Sequence, residues 1–386
     1  MKISLTILVL LISISCSHLG ENKVKVSLTS NNWTPSTKQK LETLISEESG
    51  TGKVVIFDFD NTLICRDIGE ATLGTLTDQN KINKSLLQEF LSPGIKTESP
   101  TKYYDQLLSS TEHHTNEQTA HANGYAWAVQ AMAGLSPIEI INATEKAFKD
   151  GSAQSDRESN QLSQINVTNE ENSFARPYFY PEMVELVAKF LENDYNVYVV
   201  SASNVWTVRW MVNQLNNLIK KQGIDKKISL KNVLGVSTLL VGKNGKLFKD
   251  QLLTHEVEGY ADLKSKLLKD LKLSAQISYP LTGYYGKIAN IKQWITKDRP
   301  YFIAGDSPND LPMLETAENK LWIARLEKPN YQNTTKSKGF ENLIIQPTLY
   351  KKMSGFVGSE KSLNERIENL SVSTQEKVRE SWNILF

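Results

Sequence analysis

Asp58 and Asp60 stand one residue apart at the end of the apolar run Val54-Val55-Ile56-Phe57, and Thr62 follows two positions later. If that run is a strand, its side-chain period of two turns both carboxylates to the same side. Carboxylates forced together repel unless they share a proton or a divalent cation. One of them could attack phosphorus and the other could protonate a leaving oxygen. Taken alone, the pair reads equally well as a helix cap and a turn. It is not alone. Gly305-Asp306-Ser307-Pro308-Asn309-Asp310 follows a second apolar run, Tyr301-Phe302-Ile303-Ala304, and leads into a helical pattern at Leu311. Hard oxygen ligands at such a place suit Mg²⁺. Ser201 ends a third run, Val197-Tyr198-Val199-Val200, where a hydroxyl and free backbone N–H groups make an anion site. Lys287 stands at a helix start, where a cation opposes the macrodipole and calls for an anionic partner.

Positioning these groups requires parallel strands that share one edge. The runs named above, with Leu321-Trp322-Ile323-Ala324, are continuous rather than alternating, which suits a parallel sheet covered on both faces. Helical patterns lie between them over 181–192, 205–221 and 286–296. The reading is a doubly wound α/β sheet. Asp58 and Ser201 are 143 positions apart, too many for one crossover, so 73–175 reads as an inserted helical cap, with patterns over 83–91, 103–108 and 125–132. A hairpin is expected over 233–252 around the turn Lys243-Asn244-Gly245-Lys246. The expected organisation is a signal peptide over 1–15, a tether and helix over 16–52, the α/β core over 53–72 and 176–330, and the cap over 73–175. A helical extension over 331–386 completes it, with Ser373-Thr374-Gln375-Glu376 capping the last helix.

Composition narrows the class. The 386 residues are 40% hydrophobic and 9% aromatic, which excludes global disorder. A net charge of +1 argues against a nucleic-acid partner, and two cysteines exclude a disulfide scaffold or a four-cysteine zinc site. Met1-Lys2, the apolar run 3–14 and the small residues Ser13 and Ser15 form a secretory signal. Cys16 follows directly, so the mature chain is either lipid-anchored through Cys16 or simply secreted, periplasmic or at the cell surface.

In order and spacing, these elements resemble the haloacid dehalogenase-like hydrolase superfamily across about residues 53–330. Asp58, Asp60 and Thr62 match its first motif, Ser201 its second, Lys287 its third, and Asp306 and Asp310 its fourth. The resemblance implies an aspartyl-phosphate on Asp58, with Asp60 as general acid and then base. It implies Mg²⁺ held by Asp58, Asp306 and the Asp60 carbonyl, with Asp310 in support, and a phosphoryl group held by Thr62, Ser201 and Lys287. A carboxylate at position 60 points to phosphatases rather than dehalogenases. Asn31-Asn32-Trp33-Thr34-Pro35 and Asp67-Ile68-Gly69-Glu70-Ala71 are also similar to stretches of secreted bacterial phosphorylcholine phosphatases. That likeness implies that Glu70, Tyr103 and Tyr104 recognise a quaternary ammonium. Trp127 and Tyr125 are further aromatic candidates in the cap.

The expected activity is Mg²⁺-dependent hydrolysis of a small phosphate ester, phosphocholine first. Another small substrate such as phosphoserine is the second reading. A non-catalytic surface lipoprotein on the same scaffold is the third.

Overall fold

The computed structural model describes residues 26–47, 49–82, 97–109, 117–149, 151, 163–168, 170 and 172–386. The signal peptide, Cys16 and the helical pattern over 83–91 lie outside the described residues. Helix α1 (Pro35–Glu47) precedes strand β1 (Val54–Phe57), and β2 (Ile64–Cys65) leads into the cap helices α2 (Ile68–Asp78), α3 (Pro100–Ser109), α4 (Glu117–Gln130) and α5 (Pro137–Phe148). A hairpin of β3 (Gln164–Val167) and β4 (Asn172–Ala175) and the short β5 (Tyr178–Phe179) return the chain to α6 (Pro181–Glu192), β6 (Asn196–Asn204), α7 (Val205–Lys221) and β7 (Val233–Val236). Next come β8 (Thr238–Val241), β9 (Leu247–Phe248), α8 (Asp250–Glu256) and β10 (Lys272–Ile277). The last part holds α9 (Tyr285–Trp294), β11 (Phe302–Gly305), α10 (Leu311–Glu315), β12 (Asn319–Arg325), α11 (Pro329–Ser337), β13 (Leu343–Leu349), β14 (Gly355–Phe356), α12 (Glu360–Ile367) and α13 (Val372–Leu385).

The main sheet runs β14-β13-β12-β11-β1-β6-β7, parallel except for β14. Both faces are covered, as the unbroken apolar runs require. Val55, Phe57 and Val199 pack on one side with α6 and α7, whereas Ile56, Val200 and Ile303 pack on the other with α9 and α10. From β1 the chain goes first to β6 and β7 on one side, then to β11 and β12 on the other. The strand order therefore reverses at β1, which opens a crevice at the carboxyl ends of β1 and β11.

Four expectations need correction. The stretch before α1 is not a free tether from residue 26 onward: Val26, Leu28 and Trp33 are buried in the main core. Backbone N–H groups of this stretch bond to Glu185, and Ser30 and Asn32 donate to Glu182. Residues 331–386 are not only helical, because β13 and β14 extend the sheet and Ile344 and Phe356 enter its core. The expected hairpin forms, pairing Leu240 with Phe248 around Gly245 at φ 70°, but it joins β10 in a separate three-stranded sheet. Leu240, Tyr260 and Leu273 of this segment share one apolar cluster with Leu73, Tyr103 and Trp127, so the cap is built from two insertions. Arg209 on α7 clamps the second insertion through two 2.9 Å bonds to Asp250, both side chains being almost fully buried. Finally, Ser371 rather than Ser373 caps α13, accepting from the Thr374 N–H.

Candidate active site

Neighbouring strands β1 and β11 end level with one another, so Asp58 and Asp306 emerge side by side; the Asp58 N–H continues the ladder to the Ala304 carbonyl at 3.0 Å. Asp310 closes the turn after β11. Its Oδ2 accepts from the backbone N–H groups of Asp306 and Ser307 at 3.1 and 3.2 Å, which aims Oδ1 at the site. The turn is tight enough that a Cβ on Gly305 would come within 2.5 Å of the Asp310 Cβ. The three carboxylates, all buried, present oxygens within 4.8 Å of one another.

Lys287 reaches them from the first turn of α9, with Nζ 2.6 Å from both Asp58 Oδ1 and Asp310 Oδ1. Burial alone would lower this ammonium's pKa, but Asp310 and Asp58 more than offset that and hold it above the usual lysine range. The loop before α9 is pinned by Asn309, whose Oδ1 accepts from the Tyr284 N–H at 2.6 Å, with Tyr284 at φ 48°. Thr62 Oγ1 lies 3.1 Å from Asp58 Oδ2 and 3.3 Å from Asp306 Oδ1. A hydroxyl has one proton and serves one of them at a time. Two buried carboxylate oxygens thus converge on one shared hydroxyl. That hard, electron-rich set fits a divalent cation between Asp58 and Asp306.

Among the described residues no cation pairs with Asp60. Its Oδ2 accepts from Ser203 Oγ at 2.7 Å and Ser201 Oγ at 3.3 Å, and its Oδ1 from the Ile68 N–H at 2.8 Å. Burial, reinforced by Asp67, pushes its carboxyl well above the usual range. A carboxyl shifted toward its protonated form beside an ion-paired one can serve as an acid next to a nucleophile. Gly69 guards this arrangement, since a Cβ there would sit 2.4 Å from Ser203 Oγ.

Above this floor opens a cavity of about 1290 Å³. Asp67 caps α2 by accepting from the Glu70 N–H at 2.8 Å, and so places Glu70 in the first turn, lining the cavity. Burial, with Asp67 and Asp105 adding to it, pushes the Glu70 carboxyl up to about 8.

No family model matches the chain. Over 312 residues it is 28% identical to a phosphorylcholine phosphatase of Pseudomonas aeruginosa, covering 77% of this chain and 81% of that protein. That likeness supports a haloacid dehalogenase-like phosphatase. A structure from Anaerococcus prevotii, described as a conserved protein of unknown function, shares the fold at a TM-score of 0.53 and 16% identity, covering 86% of this chain and 97% of that one.

In this chain Asp58, Asp60, Thr62, Ser201, Lys287, Asp306 and Asp310 all meet at one floor. The wall is more selective. Glu70, Tyr104 and Tyr125 line the cavity, but Tyr103 and Trp127 do not. Those two are buried in the cap core, edge to face at 4.8 Å. Sequence reasoning missed Arg325, Ser203 and Asn309 as participants. Arg325 ends β12 with its Nε 2.7 Å from Asp306 Oδ2. Its signal was the same as that of the aspartates: a polar residue just past a buried apolar run.

Proposed function

We propose that the chain hydrolyses small phosphate esters through a phosphoryl group carried on Asp58. The observation that carries this reading is the division of labour on the floor, where Asp58 is ion-paired to Lys287 while Asp60, two residues on, is held by hydroxyls and is shifted toward its protonated form. An Asp58 oxygen forms the bond to phosphorus as the bond from phosphorus to the alcohol oxygen breaks. That oxygen takes the Asp60 proton. In the second half a water attacks phosphorus and gives its proton back to Asp60, the bond to Asp58 breaks, and phosphate leaves. Thr62, Ser201 and Lys287 surround the place where the phosphoryl oxygens would lie. Mg²⁺ fits between Asp58 and Asp306, with Asp310 holding the turn beneath, and would neutralise charge on the transferring group.

For the leaving group, Glu70 with Tyr104 and Tyr125 supports a cationic alcohol, phosphocholine above all, since a quaternary ammonium is held by aromatic faces and a carboxylate. The name of the Pseudomonas aeruginosa relative points the same way. One observation favours an alcohol that also carries an anion, such as serine: the charges of Arg325 and Lys328 act on Glu70. Phosphate release from phosphocholine, phosphoserine and a neutral ester of similar size, each with and without Mg²⁺, tests the reading. Phosphocholine is expected to lead, and no release from any of them would sink it. Export, with a lipid on Cys16 or without one, belongs to the same proposal. No described helix is long and apolar enough to cross a membrane.

A further inference from the structure

Arg325 has no counterpart in the reaction sketched above, yet it is the second cation of the floor. Its side chain and that of Asp306 are 11% and 3% exposed and meet at 2.7 Å. Its guanidinium also lies over two rings, 5.1 Å from the centre of Tyr331 and 5.2 Å from that of Tyr350. These rings hold the planar guanidinium in place beside Asp306. The contact uses Asp306 Oδ2, so the other oxygen, Oδ1, stays with the Thr62 hydroxyl that also meets Asp58.

Arg325 adds a second positive charge to that of Lys287 beside the carboxylates of Asp58, Asp306 and Asp310. Without it the floor would be one charge more negative, both empty and metal-loaded. The empty floor would then attract the metal more strongly, and the loaded floor would attract a phosphate dianion less strongly.

We infer that Arg325 is a positioning residue that sets the charge of the floor, giving up some metal affinity so that the metal-loaded site is more positive toward phosphate. The inference rests on the phosphoryl-site reading above. Its signature is that two affinities move in opposite directions when Arg325 is removed. A residue that only oriented Asp306 would, on removal, weaken metal and phosphate binding together, since loss of such a supporting contact lowers metal affinity about 10–100-fold.

The test is calorimetric and needs no turnover. Mg²⁺ is titrated into the purified protein, and inorganic phosphate into the Mg²⁺-loaded protein, for wild type, Arg325→Met and Arg325→Lys. In Arg325→Met, Mg²⁺ affinity is expected to hold or rise, and phosphate affinity to fall about tenfold or more. Arg325→Lys keeps the charge and should bring phosphate affinity back to within about threefold of wild type. Parallel loss of both affinities in the Met variant, or no change in phosphate affinity, overturns the inference. So does a folded Lys variant that binds phosphate no better than the Met form, and if the Met form does not fold, a Lys variant with much weakened phosphate binding overturns it by itself. Failure of wild type to bind phosphate at all would instead count against the phosphoryl-site reading.

Discussion

The floor and the wall of the cavity are built by different rules. Every floor carboxylate stands within a few residues of a strand end in one sheet, and each is fixed by at least two polar contacts, several of them to backbone. The wall is assembled from parts far apart in sequence: Glu70 on α2, Tyr104 on α3, Tyr125 on α4 and Tyr350 after β13. A sheet edge is rigid because its register is fixed along every strand, so the chemistry placed there tolerates little change. A wall drawn from separate helices can be altered one residue at a time, which suits selectivity. Substitutions should therefore divide cleanly, floor changes acting on every ester and wall changes acting only on the choice among them.

The largest effect is expected at the nucleophile. Asp58→Asn should abolish hydrolysis of all esters while leaving the fold intact, as read by phosphate release beside circular dichroism. Near-normal turnover by the folded variant would falsify the mechanism. Asp60→Asn should lower kcat by about 10²–10⁴-fold, the usual contribution of a general acid. The loss should be smallest for esters of acidic alcohols, which leave without a proton, and a uniform loss across leaving groups would deny Asp60 that role. Asp306→Ala should weaken Mg²⁺ binding by more than about 100-fold, judged against outer-contact losses of about 10–100-fold. An unchanged Mg²⁺ titration midpoint would remove Asp306 from the ligand set.

The wall is tested by ratios. Glu70 prefers its neutral form up to about pH 8, whereas an unfolded chain ionises it near 4.5. A cationic ester favours the ionised form. Preference for phosphocholine over a neutral ester should thus climb as pH approaches 8 and then flatten, and Glu70→Gln should erase that climb. The sign for stability is opposite. The raised value contributes stability that is complete below pH 4.5 and lost as pH rises through 8, so Glu70→Gln should gain Tm relative to wild type only toward the alkaline side. A preference that stays flat with pH in wild type would show that Glu70 does not read the substrate's charge. The smallest effect separates two adjacent tyrosines. Tyr104→Ala should shrink the same preference about 2- to 30-fold, the range of a cation–π contact. Tyr103→Ala should leave it unchanged and instead lower stability by about 3–5 kcal/mol, as other buried rings do. Equal effects on the preference would undo the distinction between cavity wall and cap core.

That pair also shows where the sequence stops being informative. Neighbouring residues on a helix point about 100° apart, so Tyr103 and Tyr104 cannot both face one cavity, and nothing in their types says which does. The floor was legible because a short apolar run ending in a carboxylate carries both the element and the direction of its last side chain. The sheet's extension through β13 was hidden because Leu343-Ile344-Ile345 is followed by Gln346 and Pro347, polar and turn-like residues. Gln346 is nonetheless fully buried, with its amide bonded to backbone carbonyls including that of Asn32. The second half of the cap was hidden for another reason. Its strands pair only with one another, and their apolar faces find partners more than 100 residues upstream, in the cluster that holds Leu73 and Trp127.

The docked stretch from Val26 to Trp33 bears on distance. It clips the chain to α6 and to the far side of the sheet, so a lipid on Cys16 would sit ten residue steps before Val26. Even drawn straight, ten steps span no more than about 35 Å. A lipid-bearing form could not roam: its body would start within one protein diameter of the bilayer, and the cavity would sample only a shallow shell of solution above the lipid. The secreted form carries no such limit. The same fold would then serve either a surface-bound or a free-ranging enzyme, with the leash length set by where residue 26 is fastened.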